Sequence, residues 1–260
     1  MALEVERLDG GVALATLSAE SSRNAFDIDS IQTISDTLNE LMDDSSIRGI
    51  VITGTGRFFC AGADINEFQE SIAEGTIGDL VGQLTGILHP LLVRMRGDST
   101  VIVAAINGAA AGGGLGLALA CDARIASPDA KLSAAFFKLG LSPDGGTTWL
   151  LPRLVGPQET KRFFFNDETW SGKQAFRKGA IDELVPVEEL TQRAIAVATD
   201  WGHWAAMSRR STKQLLDAQS STFFETQLEF ERALITAASM TPDFAEGVAS
   251  FIEKRDPEFE

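Results

Sequence analysis

Cysteine and histidine are nearly absent from this 260-residue chain, which holds two of each. Cys60 and Cys121 stand inside apolar runs without metal-ligand spacing, so they read as buried free thiols of a reducing compartment. With His89 and His203 as the only imidazoles, a structural zinc site and a histidine-based triad both lack material. Cations are also scarce. Lysine and arginine number 22 against 37 acidic residues, a net charge of -15 that repels nucleic acid and anionic membrane, though a few placed cations could still hold an anionic ligand. The opening MALEVERLDGG has neither a basic flank nor an apolar core, so no signal peptide is expected and the location implied is cytoplasmic. Hydrophobic content of 44% and charged content of 23% are ordinary for a globular enzyme.

What the chain does have is concentrated at Val101 to Cys121, VIVAAINGAAAGGGLGLALAC. Val101 to Val103 read as a buried strand, Asn107-Gly108 as a turn, and Gly112 to Gly114 as a bare backbone delivering free N-H groups to a buried helix beginning near Leu115. Four readings compete. Five glycines and a central asparagine make a poor transmembrane helix. Gly112, Gly114 and Gly116 do not complete a dinucleotide-binding G-x-G-x-x-G. A helix held tightly on a sheet by small residues, and an amide that binds an oxyanion with a second donor from elsewhere, both remain open.

Before this stretch, Leu3 to Leu8 and Val12 to Leu17 flank Asp9-Gly10-Gly11 as a hairpin, and Ser21 to Ala25 form a polar loop. Ile28, Ile31, Ile34, Leu38 and Leu41 set a helix with one buried face, and Gly49 to Thr53 set a short strand. Asp64 and Glu67 have the spacing of an N-cap and its box partner. Residues 70–84 predict a mobile surface segment, and Leu84 to Met95 a helix in which His89, before Pro90, reads as packing or surface. Ala123 to Ala126 and Lys131-Leu132 read as strands. From Pro157 the chain reads as helical, with a break at Leu184 to Val187 and no linker that separates a second domain. Pro143-Asp144-Gly145-Gly146 is first of all a turn.

FFCAGADINEF (Phe58 to Phe68) and AAINGAAAGGGLGLALACDARIA (Ala104 to Ala126) resemble the two signature regions of the enoyl-CoA hydratase/isomerase, or crotonase, superfamily. RNAFD, PDGGTTWLLPRLVG and EGVASFIEKRDPEF resemble their counterparts in order and spacing. The resemblance implies an α/β fold, a β-β-α superhelix over residues 1–200 carrying the acyl-CoA site. It further implies a C-terminal helical region, 201–260, that builds a homotrimer or a hexamer made of two trimers. No cofactor is bound permanently; coenzyme A arrives as part of the thioester substrate. The carbonyl oxygen would take hydrogen bonds from the amides of Ala63 and Gly113. By the same resemblance Arg23, Ala25 and Ala61 serve the nucleotide and pantetheine, while Phe251 and Lys254 reach the nucleotide, commonly that of a neighbouring subunit.

Hydratases of this family hold water between two glutamates, and here those positions carry Gly116 and Phe136, which cannot exchange a proton. Asp144 stands where some isomerases of the family carry a catalytic aspartate. A solitary carboxylate among Phe136, Phe137, Leu139, Leu141 and Trp149 would be partly desolvated and suited to a general base. Phe68 and Leu115 complete the substrate pocket that this likeness implies. The expected activity is an isomerase moving a 3-enoyl-CoA double bond into conjugation, with Asp144 as acid and base. Three reactions on the same fold are alternatives: hydration through Glu67, thioester hydrolysis, and aryl-CoA dehalogenation through Asp144. An acyl-CoA-binding protein without turnover is the alternative of another class.

Overall fold

The computed structural model describes residues 2–19 and 23–259; Ser21 and Ser22 of the expected polar loop lie outside them. Strands β1 (Leu3–Leu8) and β2 (Val12–Leu17) pair antiparallel across a turn in which Gly10 and Gly11 both take positive φ. Helix α1 (Ile28–Asp43) starts on a capping box, Asp27 accepting the N-H of Ser30 at 2.7 Å, and buries Ile31, Ile34, Leu38 and Leu41.

Three β-β-α turns follow. The first contains β3 (Gly49–Gly54), β4 (Phe58–Cys60), α2 (Ile65–Glu74) and α3 (Ile77–Gly97), and the second β5 (Val101–Ile106), β6 (Ala109–Ala111) and α4 (Gly113–Ala120). The third runs through β7 (Ala123–Ala126), β8 (Lys131–Ser133), α5 (Thr147–Val155) and α6 (Pro157–Phe165). Each turn gives one strand to a large sheet and the next to a small one, and this alternation makes the chain a spiral. The large sheet has the order β1-β2-β3-β5-β7-β10 and the small one β4-β6-β8-β9, where β9 is Thr169–Ser171, β10 is Glu183–Leu184 and helix α7 (Gly172–Lys178) lies between them. The core lies between the sheets and helices α1, α3 and α4. On the other face, α8 (Val187–Gly202) sets Leu190, Ala194 and Ala198 on Val51, Val103 and Ile125.

Two sequence expectations are corrected. Residues 70–84 are regular rather than loop: they form the end of α2, a left-handed turn at Gly75 and the start of α3. Gly78, Gly82 and Gly86 blur the apolar periodicity of α3, but Leu80, Leu84, Leu88 and Leu91 still bury one stripe. Asp64 does cap α2, accepting the N-H of Asn66 at 2.8 Å, whereas Glu67 makes no box. One Glu67 carboxylate oxygen is buried without a partner, and this burial, followed by repulsion from Asp27 and Asp64, raises its affinity for protons.

Helices α9 (Ala206–Ala218), α10 (Phe224–Ala238) and α11 (Pro242–Glu253) end the chain. α9 is tied to the spiral by charge. The Lys213 ammonium sits 2.6 Å from Asp122, whose carboxylate also accepts the N-H of Ile102, and donates to the carbonyl of Thr100 at 2.8 Å. Arg209 donates to the carbonyls of Ser99 and Arg48. Because the Lys213 and Asp122 side chains are only 12% and 13% exposed, Lys213→Met leaves a carboxylate largely shielded from water. It is expected to cost about 3–5 kcal/mol, read as a lower midpoint in urea unfolding. Among the described residues no helix is long and apolar enough to cross a membrane.

Candidate functional site

The site grows from glycines that let three backbone segments meet at the start of α4. Gly112 adopts φ +52° and ψ -127°, a conformation that side chains disfavour, and so turns β6 sharply into the helix. Gly113 is the first residue of α4, where an N-H has no intrahelical acceptor. A Cβ on Gly114 would lie 2.4 Å from the Cys60 carbonyl, so the helix rests directly on the end of β4. A Cβ on Gly62, itself at φ +86°, would lie 3.1 Å from the Gly113 nitrogen and 2.9 Å from the Ala111 carbonyl.

Next to Gly62, Ala63 forms a parallel bridge with Phe26. The Phe26 N-H donates to the Gly62 carbonyl at 2.7 Å, and the Asp64 N-H donates to the Phe26 carbonyl at 2.9 Å. A parallel bridge of this kind uses the peptide groups flanking Ala63, so the N-H of Ala63 itself faces away from Phe26. Close packing by small residues and the gathering of two amide-bearing segments are therefore one arrangement, although the sequence presented them as rivals.

The third segment carries the carboxylate. Gly145 and Gly146 both take positive φ, and the Thr147 hydroxyl donates to the Asp144 carbonyl at 2.8 Å, which fixes the turn. Gly145 lies on the first turn of α4. A Cβ on Gly116 would meet the Gly145 carbonyl at 2.2 Å, and one on Gly145 would lie 3.4 Å from the Cα atoms of both Gly113 and Gly116. Asp144 is thus held near Gly113 through its neighbour Gly145, whose backbone rests on those of Gly113 and Gly116.

A cavity of about 870 Å³ opens over these segments. Of the residues expected from the sequence, Arg23, Ala25, Ala61, Ala63, Phe68, Gly113, Phe136, Leu139, Leu141 and Asp144 line it. Leu115, Gly116 and Trp149 do not. Leu115 is fully buried in the core, Gly116 lies beneath Gly145, and Trp149 is turned outward because Thr147, Leu150 and Leu151 form the inner face of α5. The Trp149 ring is covered by the Arg153 guanidinium, 3.3 Å from its centroid. Phe251 is exposed and Lys254 ends α11 in a left-handed conformation; neither lines this chain's cavity.

Asp144 is not solitary either. Its Oδ1 lies 2.7 Å from Nε2 of His89 on α3, and the two side chains are 36% and 49% exposed, so the expected desolvation by apolar neighbours is replaced by a polar partner and water. His89 is the residue whose part the sequence reading missed. Leu84, Thr85 and Leu88 reach the cavity from the same helix. Ser133 and Thr169 enter through the register that aligns Ala111, Ser133 and Thr169 across the small sheet, and the Lys138-Asp167 ion pair, 2.9 Å, closes that side. Cys60, beneath the amides, is fully buried and its thiol is pushed up to about 12, which makes it inert packing. Among the described residues no cluster could hold a metal ion.

The family model for enoyl-CoA hydratase/isomerase matches residues 7–260. The chain is 33% identical over 255 residues to the 1,2-epoxyphenylacetyl-CoA isomerase of Escherichia coli K12, covering 98% of this chain and 97% of that one. It is 31% identical over 248 residues to the 2,3-dehydroadipyl-CoA hydratase of the same strain, at 95% and 94% coverage. The crystal structure of an enoyl-CoA hydratase from Polaromonas sp. JS666 matches with a TM-score of 0.92 at 29% identity over 100% of both chains. A likeness that runs the whole length of relatives named for isomerisation and for hydration makes this chain a member of the enoyl-CoA hydratase/isomerase, or crotonase, family.

Proposed function

We propose that the chain is an enoyl-CoA isomerase that moves the double bond of a 3-enoyl-CoA to the 2 position, with Asp144 carrying the proton. One observation bears this reading. Of the cavity's carboxylates, Asp64 is engaged in capping α2 and Asp167 is paired with Lys138, while Asp144 alone is held near Gly113.

The amides of Ala63 and Gly113 donate to the thioester oxygen. They stabilise it most as it becomes an enolate oxygen, each worth on the order of 3 kcal/mol in the barrier. Asp144 takes the α-proton, the electron pair spreads over the dienolate, and the γ-carbon takes a proton back from the same carboxyl. No water is consumed, so the missing glutamates at Gly116 and Phe136 are not needed. Hydration through Glu67 has less support, because Glu67 does not line the cavity. Arg23, Ala25 and Ala61 hold the nucleotide and pantetheine at one side of the cavity, and Phe68, Leu139 and Leu141 surround the acyl group. Exposed Phe223, Phe224, Ile235, Phe251 and Ile252 on the last helices support assembly with further copies, where Phe251 and Lys254 meet a neighbour's nucleotide.

The test adds a 3-enoyl-CoA to the purified protein and follows the conjugated product by absorbance and mass. A rise in conjugation at unchanged mass is expected. A product heavier by one water, or no turnover, overturns the reading.

A further inference from the structure

The isomerisation just described needs one base, yet the structure gives that base a partner. His89 and Asp144 are 55 residues apart and come from different layers, α3 and the turn resting on α4, and their side chains still meet at 2.7 Å. His89 precedes Pro90, which has no N-H to offer the Gly86 carbonyl, so the helical ladder is open by one bond where this ring projects. The ring is half exposed, whereas Leu88 beside it is buried against the core and lines the cavity. The pair therefore joins the cavity to bulk water.

We infer that His89 is a positioning and proton-exchange residue, holding the Asp144 carboxylate toward the acyl group and connecting the proton it carries with solvent during each turnover. This rests on the isomerase reading above. The steps balance without another reactant. Asp144 takes the α-proton and becomes neutral. While Asp144 is a carboxylate the Nε2-H of His89 donates to it; once Asp144 is neutral, the half-exposed ring takes a proton from water on Nδ1 and releases the one on Nε2, and the Nε2 so bared accepts the carboxyl proton. The ring, exposed on its outer side, loses the Nδ1 proton to water; a solvent proton returns by the same route to Asp144 and then to the γ-carbon. The substrate loses one proton and gains one. A base sealed from water would instead return the substrate's own hydrogen.

The experiment runs the reaction in D2O and measures deuterium at the γ-carbon of the product by mass spectrometry, for wild type, His89→Gln and His203→Gln. A glutamine amide can still donate to Asp144 but cannot relay a proton. Wild type and His203→Gln, whose ring lies tilted against Trp204 far along the chain, are expected to place deuterium at that carbon in most turnovers. His89→Gln is expected to lower incorporation per product formed at least about fivefold, a ratio independent of any change in kcat. Equal incorporation in wild type and His89→Gln, or a kcat loss in His89→Gln with no change in label, overturns the exchange role. A wild type that makes no conjugated product refutes the isomerase reading instead, which keeps the two failures apart.

Discussion

Asp144→Asn is expected to lower kcat/KM for 3-enoyl-CoA isomerisation by about 10³-fold, with affinity for an unreactive acyl-CoA changed by no more than a few-fold. Asparagine has the same shape and can still meet His89, but its amide takes up no proton at neutral pH. On the proposed mechanism the backbone amides of Ala63 and Gly113 are unaltered, so binding and stabilisation of the thioester oxygen are expected to persist and the loss to fall on kcat. Steady-state kinetics together with calorimetric titration of the analogue would measure both quantities. Unchanged turnover would remove Asp144 from the mechanism, and a covalent acyl-aspartate trapped on the wild-type enzyme would turn the reading toward dehalogenation.

Gly116→Ala is the second large effect, and it is expected at a residue that touches no substrate. The added methyl lies within 2.2 Å of the Gly145 carbonyl, and backbone on both sides leaves no side chain to move aside. Either the 142–146 turn lifts from α4 or the helix shifts. The first carries Asp144 away from Gly113, and displacement of this order costs about 10²-fold in rate; the strain adds about 1–3 kcal/mol of lost stability. Kinetics and thermal unfolding of the variant would show both. For the same reason, placing a glutamate at this position should not create a hydratase, since its side chain has no room beneath Gly145.

Local patterns explain what the sequence revealed. The hairpin at Gly10-Gly11, the stripe of α1, the strand Val101–Ile106 and the buried start of α4 each come from a few adjacent residues, and the structure has them all. The errors came from arrangements that adjacent residues do not encode. Strand β9 is three residues long with only Trp170 buried, too short for alternation to show. The glycines of α3 imitated a loop. The chemistry of Trp149 suits the pocket, but its phase on α5, set by Thr147, Leu150 and Leu151, turns it out. His89 became meaningful only once α3 crossed the turn holding Asp144, because no local signal links residues 55 apart. Only the family likeness points to the amides of Ala63 and Gly113, since a backbone donor leaves in the sequence only the smallness of its neighbours.

The contacts of Gly62, Gly114 and Gly116 with main-chain atoms bear on how such an enzyme can change its substrate. Where main chain meets main chain, no rotamer is available to absorb a mutation, so the reacting centre is almost closed to variation. Phe68, Leu84, Leu139 and Leu141 present side chains to the same space from α2, α3 and the 137–141 turn, and can be exchanged without moving that frame. On the proposed mechanism, divergence toward new acyl groups is expected at the rim, while the electrophile stays seated in one fixed place.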